Sequence, residues 1–146
     1  PQKARAYRTD ALIRFTYGML LWQGQQKESA DAAVFDATEM GGAFKEMIGE
    51  EVWSTMLALP EEDKNKLVFE VELHCAELSA AELLSLFHGY LKTIEERLLK
   101  AALREARTKL REAEAVGDEA TANASLEECA SLQKRLSALG SGFAAP

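Results

Sequence analysis

Hydrophobic residues recur along this chain at steps of three and four, the spacing that predicts α-helices, and no segment alternates as a β-strand does. The clearest helix start lies at Ser79, which is followed by Glu82 at the spacing of a capping box. Leucines on either side of this start occupy the positions of a hydrophobic staple. Because no strong helix breaker follows until Gly117, we predict one long helix over about 80–115.

The apolar stripe of this long helix shifts by one residue after Leu98. Such a shift predicts that the first half of the helix packs into one body and the second half pairs with a different partner. Val116-Gly117-Asp118 then supplies a glycine that can end the helix and an aspartate that can cap the next one. The next stripe at helical spacing consists of Leu126, Cys129, Leu132 or Gln133, Leu136 and Leu139. We therefore predict an antiparallel helical hairpin over 99–139, ended by Gly140-Ser141-Gly142, with a frayed tail over 140–146.

Shorter helices are predicted before the long one. Their expected ranges are 11–22 with Thr9 as N-cap, 31–38, 43–48, 50–57 and 60–77, with a break at Gly41-Gly42. In the last of these helices, Val68, Phe69 and Leu73 widen the apolar face, so we expect it to lie inside a bundle. The chain is thus predicted to be all-α, with a compact multi-helix bundle over 1–98, a long connecting helix and the C-terminal antiparallel hairpin.

Composition limits the class of protein. The 146 residues, 47% of them hydrophobic, suffice for one domain with a core that needs no disulfide or metal. The two cysteines form no CxxC pair, which favours a reducing, cytoplasmic setting. No apolar run is long enough to span a membrane, and no signal peptide is evident. Because the first residue is Pro1, we expect the chain to be a piece of a longer polypeptide.

No group of side chains in the sequence predicts a catalytic or metal site. His74 precedes Cys75, but adjacent helical residues point about 100° apart, so they cannot face each other as nucleophile and base. We expect Cys75 to be a core residue and His74 and His88 to be structural residues at the surface or rim. The sequence matches no zinc motif and no phosphate-binding loop. We therefore expect no catalytic residue, metal or cofactor in this chain.

The strongest charge feature is a basic stripe on the second half of the long helix: Arg97, Lys100, Arg104, Arg107 and Arg111. Steps of three and four place all five on one helix face. Two interpretations are open: a docking face for an acidic partner surface, or a solvated face balanced by Glu96, Glu105 and Glu112. The net charge of -7 and the absence of aromatic residues among these bases argue against strong nucleic-acid binding.

The stretch over 105–139 resembles a known family. A charged helix ends in Ala115-Val116-Gly117-Asp118-Glu119, and a leucine-rich helix follows that includes Leu132-Gln133-Lys134-Arg135-Leu136. Placed after a small helical bundle, this layout resembles the C-terminal helicase-binding domain of bacterial DnaG-type DNA primases. The resemblance implies a non-catalytic domain of a DNA-directed RNA polymerase whose zinc-binding and polymerase domains lie upstream. The bundle half is then similar in fold to the N-terminal domain of DnaB-type replicative helicases, although residues 18–25 match no motif of the family.

The resemblance also implies a partner. The hairpin is expected to dock on the N-terminal domain of the helicase, recruit primase to the replication fork and modulate primer synthesis. The expected contacts are Arg107, Arg111, Leu132, Arg135, Leu136 and Leu139. In the alternative interpretation these leucines pack against the first hairpin helix, which we expect for most of them, with Leu139 among the more exposed.

A different class of function is also open: a free-standing helical adaptor or a homodimeric coiled-coil protein, whose hairpin pairs with a second copy. Such a protein is expected to form a stable dimer, whereas the helicase-binding domain is expected to be a monomer or a weak or domain-swapped dimer. A third class, an enzyme with an acidic site, is disfavoured because Glu50, Glu51, Glu61 and Glu62 lie at helix starts, where the helix dipole explains them.

Overall fold

The computed structural model describes residues 2–25 and 37–144, and the side chains of residues 10–25 and 38–140. The described residues form six α-helices and no β-strand. The helices are α1 (Gln2–Gln25), α2 (Ala37–Ile48), α3 (Glu50–Leu57), α4 (Glu61–Cys75), α5 (Ala80–Val116) and α6 (Glu119–Ala144). The prediction of an all-α fold is therefore confirmed.

The chain divides into two compact units, which we call unit 1 (residues 1–94) and unit 2 (residues 95–146). Helix α5 is continuous through the division. The division falls between Ile94 and Glu95, whereas the shift of the apolar stripe predicts it between Leu98 and Leu99. The first part of α5 therefore belongs to unit 1 and the remainder to unit 2.

Unit 1 is built on α1, which packs against α4 and α2, while α2 packs against α3. Helices α1, α2, α4 and the first part of α5 all contribute fully buried side chains. These are Thr16, Met19, Gln23, Phe44, Val71, Cys75, Leu83, Phe87 and Ile94. Gly18 lies where α1 packs tightly against α4, because a Cβ at this position would lie 2.9 Å from Val71 Cγ2 and 3.3 Å from Leu67 Cβ. A residue without a side chain is what this crossing requires.

The start of α5 confirms the predicted capping box. The Glu82 backbone N–H donates to Ser79 Oγ over 3.1 Å, and the Ser79 backbone N–H donates to Glu82 Oε1 over 3.2 Å. Two backbone donors that the first turn of a helix leaves without partners are satisfied in this way. From this start α5 continues to Val116, close to the predicted end.

Several predicted helix ends are wrong. Helix α1 begins at Gln2, so Thr9 lies within it and is not its N-cap. Helix α2 runs through Gly41-Gly42, where a break is predicted, and α4 begins after Pro60 and ends at Cys75. A glycine within a helix costs only about 1 kcal/mol relative to alanine, which the burial of Phe44 and Ile48 in α2 can offset. The part of the 31–38 prediction before residue 37 lies outside the described residues.

The prediction that α4 lies inside the bundle is also wrong. Val71 and Cys75 are buried, but Phe69 is 61% exposed and Leu73 is 69% exposed. Phe69 and Leu73 are four residues apart and therefore share one face of the helix. Helix α4 thus buries one face and leaves an apolar pair on the other.

Candidate docking surface on the C-terminal hairpin

Unit 2 is a helical hairpin whose turn follows the predicted chemistry. Gly117 ends α5 with φ of 74°, in the left-handed region that favours glycine. The Asp118 backbone N–H donates to the Ala113 carbonyl over 2.9 Å, which satisfies one of the last carbonyls of α5. The reversal of the chain at this point is therefore encoded locally.

Asp118 caps α6 through Thr121. Asp118 Oδ1 accepts a hydrogen bond from the Thr121 backbone N–H over 3.1 Å, and Oδ2 accepts one from the Thr121 hydroxyl over 2.7 Å. The hydrogen bond from the Thr121 side chain, followed by the one from its backbone, lowers the pKa of Asp118 from its ordinary value. The carboxylate is thus held in the charged form that a helix N-terminus prefers.

The two hairpin helices share a small apolar seam. Its buried members are Leu99, Leu103 and Ala106 of α5 and Cys129 and Leu132 of α6. Ala102, Leu136 and Leu139 are half-buried and pack against this cluster. Ser125, one turn before Cys129, is also buried. The alternative interpretation, in which Leu132, Leu136 and Leu139 pack against α5, is the one that the structure bears out.

The expected leucine contacts therefore need correction. Leu132 is 7% exposed, so the prediction that it lies on an exposed face is wrong, and Leu136 and Leu139 are only half-exposed. The exposed leucine of α6 is Leu126, which is 57% exposed although the sequence places it in the apolar stripe. Because Ser125 is the residue four before Cys129 and seven before Leu132, it takes the seam position that the neighbouring leucine leaves.

The end of α6 also differs from the prediction. The helix continues through Gly140-Ser141-Gly142 to Ala144, whereas the sequence predicts an end after Leu139 and a frayed tail over 140–146. The two glycines lower the helix propensity of this turn. Unlike proline, however, they keep the backbone N–H that a helix hydrogen bond needs, so the helix can continue through them. Residues 145 and 146 lie outside the described part of the chain.

The basic stripe is exposed along its whole length. Lys100 Nζ lies 2.8 Å from Glu96 Oε1, and this is the one ion pair that any of the five bases forms with a described side chain. Glu105 pairs instead with Lys109, which is outside the stripe, at 4.0 Å. Among the described residues, the four arginines of the stripe therefore form no ion pair.

The three arginines among the expected contact residues are exposed, and an exposed leucine of α6 lies at a similar distance from the turn. Arg107, Arg111 and Arg135 are all exposed, as expected. Counted from Gly117, Leu126 lies nine residues along α6 and Arg107 lies ten residues back along α5. Leu126 is thus at nearly the same distance from the turn as Arg107, and it is exposed although the sequence pattern predicts it in the buried stripe.

Cys75 and His74 are adjacent in the chain but lie in different surroundings. Burial raises the pKa of the Cys75 thiol, so it stays protonated at neutral pH and is a poor nucleophile. His74 is exposed and contacts the ring of Phe15 edge-on at 5.6 Å. In residues 2–25 and 37–144, no three histidine, cysteine or acidic side chains are placed to hold a metal ion. In the same ranges, no helix has the length and apolar character needed to cross a membrane.

Comparison with protein families, with curated proteins and with solved structures finds no match for this chain.

Proposed function

We propose that this chain is a non-catalytic docking domain, the helicase-binding part of a DnaG-type primase in the bacterial cytoplasm. In this proposal unit 2 binds the N-terminal domain of a DnaB-type replicative helicase. Binding brings primase to the replication fork and modulates primer synthesis. The observation that carries the proposal is the row of exposed arginines on α5 that have no ion pair among the described side chains.

Unpaired arginines on a rigid helix suit recognition of an acidic protein surface. A guanidinium offers several donors in a fixed plane and can bind a carboxylate through two hydrogen bonds. Charges of this kind steer a partner into place and set the register of the complex. An intramolecular carboxylate would weaken both effects, and of the five bases only Lys100 has such a partner among the side chains that the structure describes.

The packing of the hairpin supports docking over the coiled-coil alternative. A homodimeric coiled coil needs a free apolar seam on each copy. Leu99, Leu103 and Leu132 of unit 2 are buried within one chain, against each other. The exposed remainder of the hairpin is charged along α5 and offers Leu126 on α6 as an apolar anchor.

The test is a binding titration of the chain with the N-terminal domain of a DnaB-type helicase, followed by size-exclusion chromatography with light scattering. Arg107→Gln with Arg111→Gln is expected to weaken binding by roughly tenfold or more, since a hydrogen bond to a charged group contributes about 1.5–3 kcal/mol. The double variant should also show a smaller loss of affinity between low and high salt. Leu126→Asp is expected to weaken binding further, because it places a carboxylate at the apolar anchor.

The matched control is Lys109→Gln with Lys134→Gln. It removes the same charge from two exposed positions of the hairpin that are not in the basic stripe. Its affinity should equal that of the unchanged chain. If both double variants weaken binding equally, the net charge of the hairpin and not the basic stripe determines the affinity. A stable homodimer that forms no complex would favour the adaptor interpretation instead.

A further inference from the structure

Helix α4 of unit 1 carries an exposed apolar pair that the fold does not explain. Phe69 is 61% exposed and Leu73 is 69% exposed, and both lie on the side of α4 opposite to the buried Val71 and Cys75. Large apolar side chains exposed singly are common, but two on one helix face form a patch. Phe69 also lines a shallow open depression of about 360 Å³ together with Glu62, Asn65, Lys66 and Glu70.

The surroundings of this pair are acidic. Glu62 lies two turns before Phe69, Glu72 lies three residues after it, and Glu70 lies three residues before Leu73, so all three border the apolar pair. All three carboxylates are exposed. Lys66 is the single base on this face, and its Nζ lies 3.9 Å from Glu62 Oε1. Glu70 and Glu72 form no ion pair with any described side chain.

We propose that the outer face of α4, defined by Glu62, Phe69, Glu70, Glu72 and Leu73, binds a basic amphipathic helix of a partner protein. Phe69 and Leu73 supply apolar anchors of the kind that a helix with apolar residues at steps of three and four covers. The exposed carboxylates on both sides of this pair, Glu70 and Glu72, match lysines or arginines that flank the apolar stripe of the incoming helix. The acidic rim repels nucleic acid and anionic membrane surfaces, which leaves a basic protein segment as the partner.

A second copy of the chain does not fit this face through its own basic stripe. The large apolar residues at three or four positions from these arginines are Leu103 and Leu110, on either side of Arg107. Leu103 is buried in the seam of unit 2 and Leu110 is half-buried, so neither is exposed beside the arginines. The basic stripe therefore offers charge without side chains to cover Phe69 and Leu73. The two surfaces also belong to different units, the outer face of α4 to unit 1 and the basic stripe to unit 2.

The experiment uses the full chain and a fluorescent 14-residue peptide of leucine and lysine at helical spacing. A second peptide has the same leucines with glutamate in place of lysine. The lysine peptide is expected to bind and the glutamate peptide not to bind. Phe69→Ala with Leu73→Ala should weaken binding by at least about tenfold, because the peptide loses both anchors. Glu70→Gln with Glu72→Gln should weaken binding severalfold and reduce its salt dependence.

The matched control is Val116→Ala with Leu126→Ala, which truncates two exposed apolar residues outside α4. It should leave the affinity for the lysine peptide unchanged, as should Arg107→Gln with Arg111→Gln. The proposal is overturned if the lysine peptide does not bind, if both peptides bind equally, or if both alanine pairs weaken binding alike. Sedimentation tests the remaining outcome. If the unchanged chain is a dimer and the Phe69→Ala, Leu73→Ala variant is a monomer, the occupant of this face is a second copy and the proposal of a partner helix is overturned.

Discussion

Gly18 sets how closely α1 and α4 approach each other. Val71, which a side chain at this position would meet first, is fully buried and branched at Cβ, so it has little freedom to move away. The backbone carbonyl of Leu67 lies 3.3 Å from the same point and cannot move without shifting α4. At Gly89, near the start of α5, a side chain would meet nothing within 4 Å apart from the adjacent backbone of its own helix.

The two glycines should therefore respond to the same substitution with opposite signs. Gly18→Ala is expected to lower the free energy of unfolding by about 1–2 kcal/mol, because overpacking outweighs the gain in helix propensity. Gly89→Ala is expected to raise it by up to about 1 kcal/mol, because only the propensity changes. Denaturant titrations followed by circular dichroism measure both. A stabilising Gly18→Ala would show that the contact between α1 and α4 is looser than the distances indicate.

Single residues could be predicted from the sequence where their partners are close along the chain. Ser79 and Asp118 act on residues three positions away, so their roles as caps follow from local spacing. Gly18 acts on Val71, which is distant in sequence, and nothing near Gly18 indicates that contact. The burial of Ser125 and the exposure of Leu126 could not be predicted for the same reason. They depend on which side of α6 packs against α5, and α5 precedes both residues in the chain.

The helices themselves follow from the spacing of apolar residues, but their outer faces do not. The apolar set of α4 predicts an all-round buried helix, whereas the structure leaves Phe69 and Leu73 exposed. Hydrophobic spacing indicates which residues can be buried. Which of these residues are buried depends on the helices that pack against each face, and the spacing does not indicate those helices. The basic stripe of α5 could be predicted from spacing alone, whereas the exposure of Phe69 and Leu73 on α4 and of Leu126 on α6 could not.

At the scale of the element, the α6 cap makes the hairpin sensitive to acid. Because the pKa of folded Asp118 is below its ordinary value, its stabilising effect is present above the unfolded-state pKa and is lost as the pH falls through the folded-state pKa. Asp118→Asn is expected to lower the melting temperature at pH 7 and to flatten its dependence on pH below about 4. Thermal scans between pH 2 and pH 7 test this, with Glu127→Gln on the exposed part of α6 as the control. An unchanged pH profile in Asp118→Asn would assign the acid sensitivity to other carboxylates.

At the scale of the whole molecule, charge is unevenly distributed. Residues 1–91 hold eight bases and fifteen acids, whereas residues 92–116 hold seven bases and five acids. The two proposed surfaces follow this division, since the face of α4 is acidic and the stripe of α5 is basic. A chain of this kind is suited to contact two partners of opposite charge, and variants of one surface should leave binding at the other unchanged.

The positions of Cys75 and Cys129 have a practical consequence. One lies in the core of unit 1 and the other in the seam of unit 2, both are buried, and the chain has no further cysteine. A thiol reagent modifies a buried cysteine only when the surrounding structure opens, so the alkylation rate of each thiol reports how often its own unit opens. Gly18→Ala should speed the alkylation of Cys75 more than that of Cys129, and Asp118→Asn should do the reverse, as followed by mass spectrometry. Equal changes in the alkylation rates of both thiols would mean that α5 couples the two units into one cooperative unfolding unit. Separate changes would mean that the two thiols of the unaltered protein report the local unfolding of each unit independently.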